Sequence, residues 1–160
     1  MIRAARLARR AGIPVVGDFE SSAGARFEEL FGLTNHLILS GHFACRLARV
    51  RTPAAAARAL WRSDRSAVVI TCGAEGCWFL DRAQPEAVHW PAFRVRAVDT
   101  TGCGDVFHGA YAAGLARGWP LAERLRFASA AAALKAAHHG GQAGIPTLAA
   151  VQQFLQDHRP

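Results

Sequence analysis

The residues able to do chemistry gather in one stretch, Val98-Asp99-Thr100-Thr101-Gly102-Cys103-Gly104-Asp105-Val106-Phe107-His108-Gly109-Ala110. It reads as a strand end, a Gly-x-Gly turn and the start of a helix. The first N–H groups of a helix find no partner within it, and the positive end of the helix dipole lies behind them. Outward-facing N–H groups of Gly102, Cys103 and Gly104 would therefore make an anion hole suited to phosphate. Glycine lets a bulky anion approach backbone that a Cβ would shield. Asp105 falls in the first turn of that helix. On spacing alone it reads equally as a partner for the dipole or as a general base. An anion hole and a carboxylate within a few residues favour the base, because phosphoryl transfer to a hydroxyl needs both close together.

The elements that must position this stretch follow from the apolar pattern. Residues 2–11 read as an amphipathic helix, leading to a strand at 13–19, a helix at 25–31 and a strand at 36–40. A helix at 42–49 follows. Thr52-Pro53 is an N-cap with proline at the first helical position, opening a helix through Trp61. The run Ala67–Cys72 is β-branched and uninterrupted, as a strand buried on both faces would be. Gly73-Ala74-Glu75-Gly76 is a turn, residues 77–80 resume as strand, and 81–93, with Pro85 and Pro91, read as a short antiparallel excursion. Residues 95–98 are expected to form a last strand ending at Asp99. Next come a helix from 104 to 117 with Gly118 as its stop, an alanine-rich helix opened by Pro120 and running to 137, and a glycine-rich loop at 138–146. Thr147 caps a final helix to His158. Strands alternating with helices indicate an α/β fold, in which ligands sit beyond the carboxyl ends of the strands. The pattern is entered at a crossover helix, which suggests a doubly wound sheet with earlier strands outside this chain.

Composition narrows the classes. The chain has 160 residues, 51% hydrophobic and 19% charged, which suits one packed domain or half of a larger one and excludes a disordered chain. No window approaches eighteen uninterrupted apolar residues, so no membrane span is expected. The opening MIRAARLARRAG lacks the apolar core of a secretory signal, and a cytoplasmic location is expected. A net charge of +7 invites nucleic acid. The excess is nearly all arginine, however, with Lys135 the only lysine, and alanine is abundant. GC-rich coding produces that pattern, and the arginines are scattered. An anionic small molecule is the better partner. Cys45, Cys72, Cys77 and Cys103 form no CxxC pair and read as free thiols, although one at a helix N-terminus could be acidified. Zinc held by Cys72, Cys77, His138 and His139 would rest on a poor template. His108 reads as packing or surface.

The motif now supports a resemblance. DTTGCGDVFHGAYAAGLARG closely resembles the C-terminal signature of the PfkB/ribokinase family of carbohydrate kinases, written DTxGAGD and followed by a small-residue helix. VVITCGAEG resembles the family's nucleotide-loop strand, and GGQAGIPT its late loop beside the adenine and a monovalent cation. ARRAGIPVVGDFE resembles a crossover helix and strand midway through the fold. Residues 1–160 as a whole resemble the C-terminal, nucleotide-binding half of such an enzyme. The resemblance implies a ribokinase-like three-layer αβα sandwich with a mostly parallel sheet, using ATP and Mg²⁺ to phosphorylate a sugar hydroxyl. By position Asp105 is the implied catalytic base, and the backbone of Gly102, Cys103 and Gly104 the anion hole. Thr71, Gly73, Ala74, Glu75 and Gly76 would line the nucleotide, and Ser129 would lie beside the adenine. Asp99 and Thr101 would join backbone carbonyls of Lys135, His138 and Gly140 around a K⁺-type cation.

Three departures qualify what is carried over. Cys103 replaces the usual alanine, which is tolerable because only its N–H is needed. The metal-linked Asn-x-x-Glu falls at residues 40–43, which are Ser-Gly-His-Phe here, so Mg²⁺ is weakly supported there. The surrounding LILSGHFACRL looks more like the ketohexokinase branch. The family's sugar-binding residues and β-sheet lid belong to the other half of the domain. The alternative to a kinase is therefore a nucleotide-binding fragment without sugar kinase activity. An uncovered crevice and free strand edges lead us to expect a homodimer or a tendency to aggregate.

Overall fold

The computed structural model of the chain describes residues 1–84 and 86–158; Pro85, in the expected antiparallel excursion, lies outside them. In chain order the elements are α1 (Ile2–Arg10), β1 (Val16–Gly17), α2 (Phe27–Gly32), β2 (His36–Ser40), α3 (Gly41–Ala48), α4 (Pro53–Ala59), β3 (Ala67–Thr71), β4 (Cys77–Asp81), β5 (Val88–Trp90), α5 (Cys103–Ala116), α6 (Leu121–Ala136) and α7 (Leu148–Asp157). The chain divides into two units. One comprises Met1–Gly73 with Cys77–Trp90, and the other Ala74–Gly76 with the chain from Pro91 onward.

The first unit holds a mixed sheet in the order β1-β2-β3-β4-β5. β1, β2 and β3 are parallel, while β4 and β5 run antiparallel to their neighbours. Helical crossovers are what make the first three parallel, since a parallel pair cannot be joined by a short turn. Between β3 and β4 only a 3₁₀ turn, Gly73–Glu75, intervenes, so that pair must be antiparallel. Gly73 (φ +57°) and Gly76 (φ +94°) take left-handed conformations that other residues avoid, which lets the turn close so tightly. On one sheet face Leu37, Leu39, Val68 and Ile70 pack with Phe43 and Ala44 of α3 and Ala56 and Ala57 of α4. Two helix starts are capped by a side-chain hydroxyl, of which the sequence marked only Thr52. The Ser40 hydroxyl accepts from the Phe43 N–H, and the Thr52 hydroxyl from the Ala55 N–H, both at 3.3 Å.

The second unit is helical. α5 and α6 are joined by a turn at Gly118 (φ +73°) and pack closely. Tyr111, fully buried, accepts a hydrogen bond from Arg124 Nη1 at 3.1 Å. α7 starts where Thr147 caps the Ala150 N–H at 3.2 Å. It buries Val151 and Phe154 against Ala130, Ala131 and Phe93. No helix among the described residues is long and apolar enough to cross a membrane.

Two expected strands are corrected. Residues 95–98 form no strand, because alternation in RVRAV produces extended chain without supplying a neighbour to pair with. Instead the Val98 and Asp99 N–H groups both donate to the Ala136 carbonyl, at 2.7 and 3.1 Å, which ties this segment to the end of α6. The strand at 13–19 shrinks to Val16–Gly17. Pro14 has no N–H to offer, and Phe19 leaves the sheet to stack its ring edge-on against Phe27 and Phe31.

The α5–α6 contact depends on one missing side chain. A Cβ at Gly114 would come within 2.9 Å of Trp119 and 3.0 Å of Arg124, whereas one at Gly109 would meet nothing within 4 Å. Gly114→Val should therefore cost about 1–3 kcal/mol through overpacking. Gly109→Ala should be neutral or gain up to about 1 kcal/mol of helix propensity. Thermal melts should drop for Gly114→Val and hold or rise for Gly109→Ala, and equal losses would contradict the packing described.

Candidate active site

Helix α5 begins at a turn whose shape is set by Gly102. At φ +78° it occupies a conformation costly for any residue with a Cβ, and it forms the N-cap. Its carbonyl accepts from the Val106 N–H at 2.9 Å, closing the first helical turn. The Cys103 N–H turns back to the Thr100 carbonyl at 3.1 Å, so it does not face outward as the sequence suggested. The Gly102 and Gly104 N–H groups meet no backbone acceptor among the described residues. Two of the three expected donors therefore remain at the positive end of α5.

The preceding aspartate holds this turn in place. Asp99 Oδ1 accepts from the Thr101 N–H at 2.9 Å, and Oδ2 from the Gly140 N–H at 2.8 Å. Its main-chain carbonyl accepts from Lys135 Nζ at 2.8 Å, and that ammonium lies 3.8 Å from Oδ2. Backbone N–H groups of Thr101 and Gly140, with the Lys135 ammonium nearby, hold the Asp99 carboxyl down to about 2. One side chain thus ties the turn before α5 to the loop after α6.

Asp105 is exposed in the first turn of α5. A Cβ placed on Gly102 would lie 3.9 Å from Asp105 Oδ2 and 3.6 Å from the Gly141 carbonyl. The carboxylate therefore stands directly beside the glycine turn. Both border a cleft of about 640 Å³ within the second unit. Thr101, Gly102, Asp105, Arg117 and Gln142 give it polar lining, and Phe127, Ala131, Ile145 and Val151 an apolar wall.

A family match fits this geometry. Residues 1–148 match the description of the pfkB family carbohydrate kinases. The chain belongs to that family. Among curated relatives, the ribokinase of Bacillus subtilis is 42% identical over 86 residues, covering 54% of this chain and 29% of its own length. The ribokinase of Mus musculus is 40% identical over 112 residues, covering 68% of this chain and 33% of its own. Among solved structures, Thermotoga maritima ribokinase superposes with a TM-score of 0.83 at 30% identity, over 96% of this chain and 52% of that one. Arabidopsis thaliana ribokinase complexed with ribose and ATP gives 0.84 at 26%, over 97% and 51%. The fold is ribokinase-like α/β, and the chain spans about half the length of these solved PfkB relatives.

The remaining expected site residues of this PfkB chain stand as follows. Thr71 ends β3 with its hydroxyl donating to the Leu39 carbonyl at 3.3 Å, and Gly73, Ala74, Glu75 and Gly76 form the turn after it. Ser129 is buried and does not line the cleft. Phe127 and Ala131, four residues apart, share the helix face that does, and position 129 points to the other side. Burial raises the Cys103 thiol despite the attraction of Lys135, so it is not acidified. Burial pushes Cys77 up to about 12. His108 Nδ1 lies 2.7 Å from the Gly104 carbonyl, one turn back on its own helix. Among the described residues no three His, Cys, Asp or Glu side chains converge on a metal position, which leaves the zinc template without a site.

The K⁺-type cation implied by the family does not suit the residues present. The Asp99 carbonyl already receives the Lys135 ammonium. The Lys135 carbonyl receives the His138 N–H at 3.1 Å, and the Gly140 carbonyl the Gly144 N–H at 3.2 Å. Sequence reasoning used Lys135 only for its carbonyl and missed its side chain. The available signal was that one lysine stands in a chain otherwise basic through arginine.

The depressed carboxyl has a consequence for acid stability. Asp99 binds its proton less readily folded than unfolded, so its contribution is present above roughly pH 4 and is lost as the pH falls toward 2. Urea titrations across that window should show stability falling more steeply for the native chain than for Asp99→Asn, which should also start lower at neutral pH. Parallel curves would show that the carboxylate is not held as described.

Proposed function

We propose that this chain supplies the nucleotide-binding half of an ATP-dependent carbohydrate kinase. The observation that carries the reading is the Asp105 carboxylate standing beside two N–H groups that meet no backbone acceptor among the described residues, at the positive end of α5 and on a cleft with an apolar wall. Relatives support it, one of them solved with ribose and ATP. In this reading the Gly102 and Gly104 N–H groups hold the transferred phosphoryl group against the α5 dipole, and the wall at Phe127 and Ala131 receives the base.

The reaction is phosphoryl transfer to a carbohydrate hydroxyl. The hydroxyl oxygen forms a bond to the γ-phosphorus, the bond from that phosphorus to the bridging oxygen of ADP breaks, and the hydroxyl proton passes to Asp105. Asp105 is suited to this because it is exposed, unlike Asp99, whose two oxygens are occupied by backbone N–H groups. Mg²⁺ would neutralise charge on the phosphates and travel with them. Residues 40–43 offer it no carboxylate, and the Ser40 hydroxyl is engaged in capping α3.

Two measurements test the reading. Calorimetry with ATP should show binding by the folded chain, and no heat up to millimolar nucleotide would end the proposal. In a protein carrying this chain together with a sugar-binding half, Asp105→Asn should lower the phosphorylation rate by about 10²–10⁴-fold. Nucleotide affinity should be unchanged or slightly tighter, because a negative charge beside the phosphates is removed. Retention of more than about a tenth of the rate would reassign the base.

A further inference from the structure

We infer that the Lys135 ammonium is the resident cation of the Asp99 corner, so that this chain neither needs nor binds a monovalent metal ion there. The inference rests on the kinase reading only for the expectation that a metal cation would be present. The charge balance itself is independent of catalysis.

Lys135 is fully buried at the end of α6, although it is an ammonium on a long flexible stem. A buried charge survives only where it is paired and hydrogen-bonded. What it meets is the Asp99 carbonyl at 2.8 Å and the Asp99 carboxylate at 3.8 Å. Negative charge accumulates at this corner from two sources. One is that carboxylate, and the other is the carbonyl-bearing end of α6, where the helix dipole is negative. Something positive has to sit among them, and Lys135 Nζ does.

The surroundings are shaped to that side chain. A Cβ on Gly144 would come 3.1 Å from Lys135 Cδ and 3.1 Å from the Gly140 carbonyl. The glycine therefore leaves room for the lysine stem to pass the loop. A metal ion would have to replace its hydration shell with protein oxygens. Of the oxygens implied for it, those of Asp99, Lys135 and Gly140 instead accept N–H groups or the ammonium itself. A potassium ion here would also stand against a like charge that cannot leave.

The test uses thermal unfolding of the full chain in potassium, sodium or choline chloride at equal ionic strength. The native chain should melt at the same temperature in all three. A cation bound well above its dissociation constant would raise that temperature by about 5–10 °C, and a potassium-specific rise of that size in the native chain would overturn the inference. Lys135→Met empties the corner of its charge. It should melt lower in choline and recover part of the loss in potassium, while Lys135→Arg should stay indifferent to the salt. A Lys135→Met chain as indifferent to potassium as the native one would also overturn the inference. If Lys135→Met does not fold in choline, refolding yield gives the same readout. Recovery in potassium supports the inference, and no recovery in any salt overturns it. No nucleotide is present, so a failure to bind ATP would end the kinase reading and leave this result standing.

Discussion

Asp99 is the constraint on which the site depends. Its side chain joins two segments distant in sequence, the turn at Thr101 and the loop at Gly140, through two backbone N–H groups. Its main-chain N–H and carbonyl reach the Ala136 carbonyl and the Lys135 ammonium at the end of α6. One residue therefore makes contacts in several directions, and each contact holds backbone that would otherwise be loop. The position of the α5 N-terminus relative to the end of α6 follows from these bonds. So does the mouth of the cleft, which both segments border. A loop built from Gly140, Gly141 and Gly144 has little rigidity of its own, and its order comes from what it is tied to.

The division of labour between two aspartates six residues apart is a matter of environment. Asp99 has both carboxylate oxygens satisfied and a buried ammonium close by, so it is ionised over the whole physiological range and unavailable to a substrate. Asp105 is exposed beside the Gly102 turn. One carboxylate is met by backbone donors and the other borders the cleft. The glycines serve the same end. Gly102 bends the chain so that α5 starts facing the cleft, and the absence of a Cβ keeps the approach to its N–H open.

Much of this was legible before any coordinates. Glycine turn and helix start could be read from DTTGCGD because local chemistry dictates both of them. Ser40 was read only as a strand end, while Thr52 and Thr147 were recognised as caps for the reason the structure bears out, a hydroxyl before an N–H with no helical partner. What failed was non-local. The alternation at 95–98 specifies extended chain, but whether a neighbour pairs with it is decided elsewhere, and here its N–H groups go to a helix end. Cys103 was expected to donate its N–H outward, yet the turn folds that N–H onto Thr100. Lys135 looked like an incidental member of an alanine run. Its importance comes from a carboxylate 36 residues earlier in the chain, which no periodicity reveals.

The central claim is that the free N–H groups at the start of α5 receive the phosphates of a nucleotide. The most direct measurement is an amide NMR titration of the chain with a non-hydrolysable ATP analogue and magnesium. The account predicts saturable shifts led by the Gly102 and Gly104 amides and fading along α5, with Gly140 following because Asp99 couples the loop to the turn. Saturable shifts that leave Gly102 and Gly104 unmoved would contradict it.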